Sequence, residues 1–399
     1  GNYIVRSALW NGGTTSTAYG AVTWGSGVSG VVGDVSATNS LVGSSPGDRV
    51  GLFITNLLNG NAVVSTPYWS GARGASTWVD GTRGISGYVS NTNSLVGTNA
   101  LDYVGTRGAD LLSNGNYVVR NDLWNGGLGA MTWGSGTSGV VGDVSIANSL
   151  VGVNPNDAVA SGSNNIIALG NGKYLLKTLS YGNDGSGNSS FTKGAITWFD
   201  GAVGITGFLS SANSLIGDAV GDAIGSVSYI TVLANGNYFI RSPLWGSGGV
   251  ASAAKGAITW GNGATGTTGV VSSLNSLVGA ANGDSLGSGG AVTALNNGNV
   301  VITSPLWGSG DGTTANAKGA ATWMNGVTGL TGTLSDLNSL VGGSIGDQVG
   351  VTGITALTNG NYVVRSAFWG GGASATAASS TGAITWGSGT LGVIGEVSS

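Results

Sequence analysis

Short apolar runs, cut by Gly, Asn and Ser, return in the same order along all 399 residues. Runs such as Tyr362-Val363-Val364 and Ala383-Ile384-Thr385-Trp386 are rich in β-branched and aromatic residues, which suit a pleated, half-buried surface. They are too short for helices and are bounded by turn formers, so they read as strands. In the last full example strand A covers 354–357, strand B 362–369 and strand C 383–386. Strand D falls in the Gly-Val-Val-Ser to Asn-Ser-Leu-Val-Gly region. A and B are joined by Asn-Gly, a strong hairpin signal because both residues tolerate positive φ.

Aligned on the Asn-Gly-Asn turn, the chain divides into seven modules: 1–58, 59–113, 114–170, 171–234, 235–296, 297–358 and an incomplete 359–399. Spacing within them is rigid. The strand-C tryptophan precedes the Asn of Asn-Ser-Leu by fifteen residues in six modules, from Trp24 and Asn39 to Trp323 and Asn338. Nine more residues lead to the Asp of Gly-Asp, and ten separate the hairpin Asn from the aromatic that ends strand B. Length varies only in the B-to-C loop, nine to seventeen residues between aromatics, and between Gly-Asp and the next hairpin, eleven to fourteen. In an up-and-down sheet both variable segments lie at one end. Insertions cost little on such loops and recognition residues gather there, so that end is the expected functional face.

The fold expected is all-β, a seven-bladed β-propeller of four-stranded blades in a single domain, with a β-solenoid as the alternative. The A–B hairpin, as in residues 292–302, resembles the inner hairpin of kelch-type propellers, without their double-glycine signature. The wider pattern N-G-N-Y-V-V-R-S-P-L-W, G-A-I-T-W-G-x-G and N-S-L-V-G resembles repeats of large secreted bacterial adhesins of the filamentous-haemagglutinin and autotransporter type. That resemblance implies export and an adhesive or matrix role, and carries over no catalytic residue. The first module has no strand A, so the native chain is expected to continue beyond one of these ends.

Composition narrows the chemistry. Gly accounts for 78 residues, Pro for 5, charged residues for 8% and hydrophobic ones for 41%. Disorder needs the opposite balance. A net charge of −4 without a basic cluster disfavours nucleic acid as partner. No apolar run is long enough for a spanning helix, so membrane insertion is not expected. The absence of Cys and His removes disulfides, thiolate and imidazole metal sites, and Ser-His or Cys-His nucleophiles. Acid pairs such as Asp218 with Asp222, or Asp184 and Asp311 on variable loops, do not stand out as a glycosidase pair. No enzyme, cofactor or metal is expected.

The strand-C tryptophans (Trp24, Trp78, Trp133, Trp198, Trp260, Trp323, Trp386) are expected to pack between modules. The strand-B aromatics Trp10, Trp69, Trp124, Tyr181, Trp245, Trp307 and Trp369 open the variable loops and are the candidate ligand-binding residues, with a structural role as the alternative. The Gly-Asp aspartates (Asp48, Asp102, Asp157, Asp222, Asp284, Asp347) read as turn caps rather than calcium ligands, since one acid per module supplies too few oxygens. Arg6, Arg120, Lys177, Arg241 and Arg365 read as structural partners of a carboxylate or carbonyl. The function expected is a secreted or cell-surface, lectin-like binding or adhesion module, probing a glycan or a cell-surface or matrix component. The alternative is a structural unit that self-associates into fibres.

Overall fold

The computed structural model describes residues 1–183, 192–226, 230–290, 292–373 and 379–399. The second module shows how the repeat folds. Strands Phe53–Asn56, Ala62–Thr66, Ala75–Val79 and Leu95–Val96 pair antiparallel in that order. The first two are joined by a tight turn in which Leu57 N donates to Asn61 O at 2.8 Å and Gly60 sits at φ 86°. A left-handed residue is required there, and glycine adopts it without strain.

Strand D departs from the single segment expected. A turn splits it: Asn93 Oδ1 accepts the backbone N–H of Ser90 at 2.9 Å, and Asn93 Nδ2 donates to Tyr88 O at 2.9 Å. Only the Asn-Ser-Leu-Val part joins the module's own sheet. The Gly-Tyr part, Gly87–Tyr88, pairs parallel with Ser40–Val42 of the module before. The same lending of a two-residue strand recurs at Gly142–Asp143, Gly207–Phe208, Gly269–Val270, Gly332–Thr333 and Gly395–Glu396. The chain thus builds seven sheets, most of five strands whose last is borrowed.

The rigid fifteen-residue step has a physical cause. In the first six modules the Thr before the strand-C tryptophan and the Ser of Asn-Ser-Leu form a buried hydroxyl pair across strands C and D, as in Thr23 with Ser40 at 2.6 Å and Thr259 with Ser276 at 2.7 Å. The serine hydroxyl then donates to the neighbouring Asn Oδ1, at 2.9 Å from Ser40 to Asn39. Inserting one residue would turn the apolar Leu-Val to the wrong face and strand both hydroxyls.

The chain forms two compact units, Gly1–Ile167 with Phe199–Leu209, and Ala168–Trp198 with Ser210–Ser399. In the first, Val22, Leu41 and Val50 of one module pack on Ala62, Val64 and Val89 of the next. In the second, Val301, Ala321 and Leu340 pack in the same way on Tyr362, Val364 and Val397. The core therefore lies between successive sheets as well as within them.

The expected inter-module role of the strand-C tryptophans agrees with this packing. In the first six modules the indole N–H donates to the carbonyl of a turn glycine in the next module: Trp24 to Gly81 at 3.0 Å, Trp78 to Gly136 at 3.1 Å and Trp133 to Gly201 at 2.9 Å in the first unit. In the second unit Trp198, Trp260 and Trp323 reach Gly263, Gly326 and Gly389. The hairpin asparagines converge on the same oxygens. Gly136 O accepts from Asn59 Nδ2 and Asn61 Nδ2 at 2.8 Å each, and Gly326 O from Asn235 and Asn237. The Asn-Gly-Asn motif therefore makes the hairpin and also ties it to the following module. A second glycine is imposed by close approach: a Cβ at Gly84 would lie 2.4 Å from the Trp24 Cβ.

Candidate functional site

The opposite end of each module carries both variable connections, as the spacing implied. In the first module Val50 N donates to Tyr19 O at 3.0 Å and Gly47 N to Ala18 O at 2.9 Å, binding the Gly-Asp segment to the B-to-C loop. The strand-B aromatic closes that loop with its carbonyl. Trp10 O accepts from Tyr19 and Gly20, Tyr181 O from Lys193 and Gly194, Trp245 O from Lys255 and Gly256, Trp307 O from Lys318 and Gly319, and Trp369 O from Thr381 and Gly382.

The side chains of these aromatics are withdrawn from solvent to different degrees. Trp69 and Trp124 are buried, and Trp10, Tyr181, Trp245, Trp307 and Trp369 half-buried. Trp124 Nε1 donates to Thr98 Oγ1 at 3.1 Å, and the guanidinium of Arg73 lies 5.5 Å from the Trp69 ring centroid. Trp307 and Trp369 pack against the module cores.

The Gly-Asp aspartates do more than cap a turn. Asp48 Oδ2 accepts the backbone N–H groups of Ser44 and Ser45 at 2.9 Å each, and its Oδ1 accepts Ser70 N of the next module at 2.8 Å. The residue after the strand-B aromatic is clipped in the same way by Asp102 (Asn125), Asp222 (Gly246), Asp284 (Gly308) and Asp347 (Gly370). All are buried. Burial pushes the carboxyls of Asp222 and Asp284 above the usual carboxylate range, with the backbone N–H bonds pulling the other way. Asp222 holds backbone groups, the N–H of Asp218 among them, and the Asp218 carboxylate adds a lesser upward push to its carboxyl. Asp311 binds its own loop through Thr313 and Asn316, which holds its carboxyl low; Asp184 lies outside the described residues.

Three of the five strand-B cations, Arg6, Arg120 and Arg241, meet a carboxylate or carbonyl as expected, whereas Lys177 and Arg365 make no such side-chain bond among the described residues. Arg120 pairs with Asp110 at 2.5 Å and donates to Ala160 O, Arg6 donates to Leu52 O at 2.9 Å, and Arg241 donates to Gly287 O and Gly290 O.

What the residue pattern did not single out is a group in the first unit. The residue after each Gly-Asp takes a left-handed conformation: Arg49 (φ 55°), Tyr103 (φ 52°), Ala158, Ala223, Ser285 and Gln348. This strained position carries a bulky cation or aromatic only in the first two modules. Tyr68, where other modules have Leu, Ser or Phe, stands between them. The Arg49 guanidinium stacks 4.8 Å from the Tyr68 centroid, and Tyr68 meets Tyr103 edge-to-face at 6.1 Å. Beside Tyr103 lies a depression of about 650 Å³ lined by Asn99, Leu101, Leu123, Asn125 and Asn156. The signal that could have found the group was its departure from the repeat. Among the described residues no cluster of acids suits a metal ion, and no helix is long and apolar enough to cross a membrane.

These features define a class: an all-β repeat protein whose recurring residues bind module to module and whose bulky departures from the repeat gather on a loop-bearing edge. A family model for a repeat of unknown function, DUF5650, matches seven times, at 1–52, 56–106, 111–161, 168–226, 232–288, 294–351 and 356–399, and the chain belongs to that family. No curated protein matches the chain.

Proposed function

We propose that the protein is an extracellular binding module that attaches to glycan through its loop-bearing edge, without catalysis. The depression beside Tyr103 carries the reading. Tyrosine faces suit the C–H faces of a sugar ring, and the amides of Asn99, Asn125 and Asn156 suit its hydroxyls. The clipped backbone beneath holds the edge rigid, which lowers the ordering cost of binding. Within the same unit the half-buried strand-B aromatic Trp10 opens a variable loop of its own module and serves this reading as a further contact. The resemblance to adhesin repeats supports a place at a bacterial surface or in its matrix. As to fold, seven four-stranded modules suit the blades of a propeller.

A glycan array with the purified chain tests this function. Binding should appear for at least one glycan class, and Tyr103→Ala should reduce it at least tenfold while leaving the melting temperature nearly unchanged, for an effect of about 1.4 kcal/mol or more. Absence of binding to any glycan, or binding indifferent to Tyr103 and Tyr68, refutes it.

A further inference from the structure

Three arginines stand on the variable connections of the first unit, and two of them have a carboxylate. Arg73 donates to Gly97 O at 2.8 Å and pairs with Asp143 at 3.0 Å, and Arg107 pairs with Asp122 at 2.6 Å. Arg49 has only the face of Tyr68, 4.8 Å from its guanidinium. Its side chain is half-buried, its Nε is buried without an acceptor, and its terminal nitrogens donate to nothing among the described residues. The sequence holds 17 acids against 13 bases, so carboxylates are in excess, yet none pairs with this cation.

Withdrawing a guanidinium from water without a counter-charge is costly, and so is a long side chain at φ 55°. Stacking on one ring offsets only part of that. It also leaves the edge of the guanidinium unused, the fork that matches two oxygens of a carboxylate or a sulfate. Beyond Tyr68 the surroundings are equally short of negative charge. Tyr68 meets Tyr103 edge-to-face at 6.1 Å, and Tyr103 lines the depression together with Asn99, Asn125 and Asn156. The single carboxylate in that lining, Asp102, is buried and engaged by the backbone N–H groups of Thr98, Asn99 and Asn125. An anion arriving here meets an unpaired cation and, in the lining of the depression, no exposed carboxylate.

We propose, on the reading of this edge as a glycan site, that the glycan is acidic: Arg49 takes the carboxylate or sulfate of one sugar residue, while the Tyr103 ring and the asparagine amides beside it take a neighbouring one. Tyr68 touches both Arg49 and Tyr103, so it holds the cation and the sugar-stacking ring at a set separation. The two features of the first modules that the repeat does not share, a cation without a partner and a pair of tyrosines, then serve one ligand.

Matched glycans test it: oligosaccharides carrying uronate or sulfate ester, each set beside the same chain with its carboxyls reduced or its sulfates removed. The wild-type chain should bind at least one acidic member about tenfold or more tightly than its neutral counterpart, as a hydrogen-bonded charge pair allows. Added salt should weaken that binding, and the series that binds tells carboxylate from sulfate. Arg49→Gln should bring the acidic glycan down to the affinity of the neutral one. Its melting temperature should be unchanged, because Gln348 already holds the same position in the sixth module at φ 48°. Equal binding of acidic and neutral members, lost on Tyr103→Ala, overturns the acidic ligand and leaves the glycan site standing. A preference for the acidic member that Arg49→Gln does not reduce overturns the role of Arg49, and with it the proposal. Absence of binding to any glycan overturns both readings.

Discussion

Replacing Asp284 by Ala should uncouple the fifth and sixth modules. Its Oδ2 accepts Ala281 N and its Oδ1 accepts Gly308 N, both at 2.8 Å, and Ala280 N also bonds the carboxylate. The residue is 1% exposed, so truncation leaves up to three donors without an acceptor. A stranded buried donor costs about 1–3 kcal/mol, which sets an upper bound of about 9 kcal/mol. Two effects reduce that. Water can enter the vacated space, and removing a carboxylate that burial disfavours recovers part of its desolvation. A net loss of about 2–4 kcal/mol is expected. Because the lost bond joins neighbouring modules, the unfolding transition should also broaden as the array loses cooperativity.

The same carboxylate fixes the sign of a pH effect. The folded-state carboxyls of Asp222 and Asp284 titrate above their unfolded range. Between those two ranges the folded chain holds more protons than the unfolded one, so this contribution to stability grows as pH falls through the window and is lost as pH rises through the raised value. Urea unfolding followed by tryptophan fluorescence, from about pH 7 down to about pH 4, measures both effects. Asp284→Ala should lower stability at neutral pH and flatten the acid-side rise. A change below about 0.5 kcal/mol, within the range of ordinary surface substitutions, would refute the clip.

Two further outcomes follow from the same interior. Burial pushes Tyr238 and Tyr362 up to about 12 and Tyr117 upward as well, so the folded state resists ionisation. Stability should be full below about pH 10, where unfolded tyrosine begins to ionise, and be lost as pH rises towards about 12; absorbance titration should show a late tyrosine class released together with unfolding, and full titration near pH 10 in the folded chain would contradict this. Chelation by EDTA should leave the melting temperature unchanged, because the recurring aspartates are engaged with backbone N–H groups; a shift of several degrees would show a bound cation.

The hairpins, the shared end of the variable loops and the inter-module role of tryptophan were legible because each leaves a spacing or residue type that recurs in step. The borrowed Gly-Val strand and the reach of the aspartates were not. A repeat sequence shows that a residue returns at every period, but a partner in the same module and one in the next produce identical periodicity. Asp284 precedes Gly308 by about the same interval as Asp48 precedes Ser70, and nothing in that interval says the two touch. One signal of packing was nevertheless present. Tyr117 and Tyr238 pair across strands with Gly134 and Gly261, whereas Ala62 faces Val79 and Val300 faces Met324. Large meets absent, and small meets medium or long. This exchange of volume between two positions, visible from module to module, marks strands B and C as neighbours and fixes their register.

The same reasoning separates scaffold from recognition. A side chain that returns in every module answers a need that every module has, and here those needs are identifiable: a loop closed by the strand-B carbonyl, a carbonyl met by Trp and Asn, backbone N–H groups clipped by Asp. Arg49, Tyr68 and Tyr103 answer no such need, since other modules fold with Ala, Ser or Gln at the first and last positions and with Leu, Ser or Phe at the second. Two of the three occupy a left-handed backbone position that disfavours bulky side chains, and what they gain within the chain is their contact with Tyr68. Their grouping next to the depression that Tyr103 lines is what the proposed ligand reading rests on. Under that reading the proposed site is asymmetric in a molecule whose scaffold is repetitive, because the residues that would form it are those the repeat does not share.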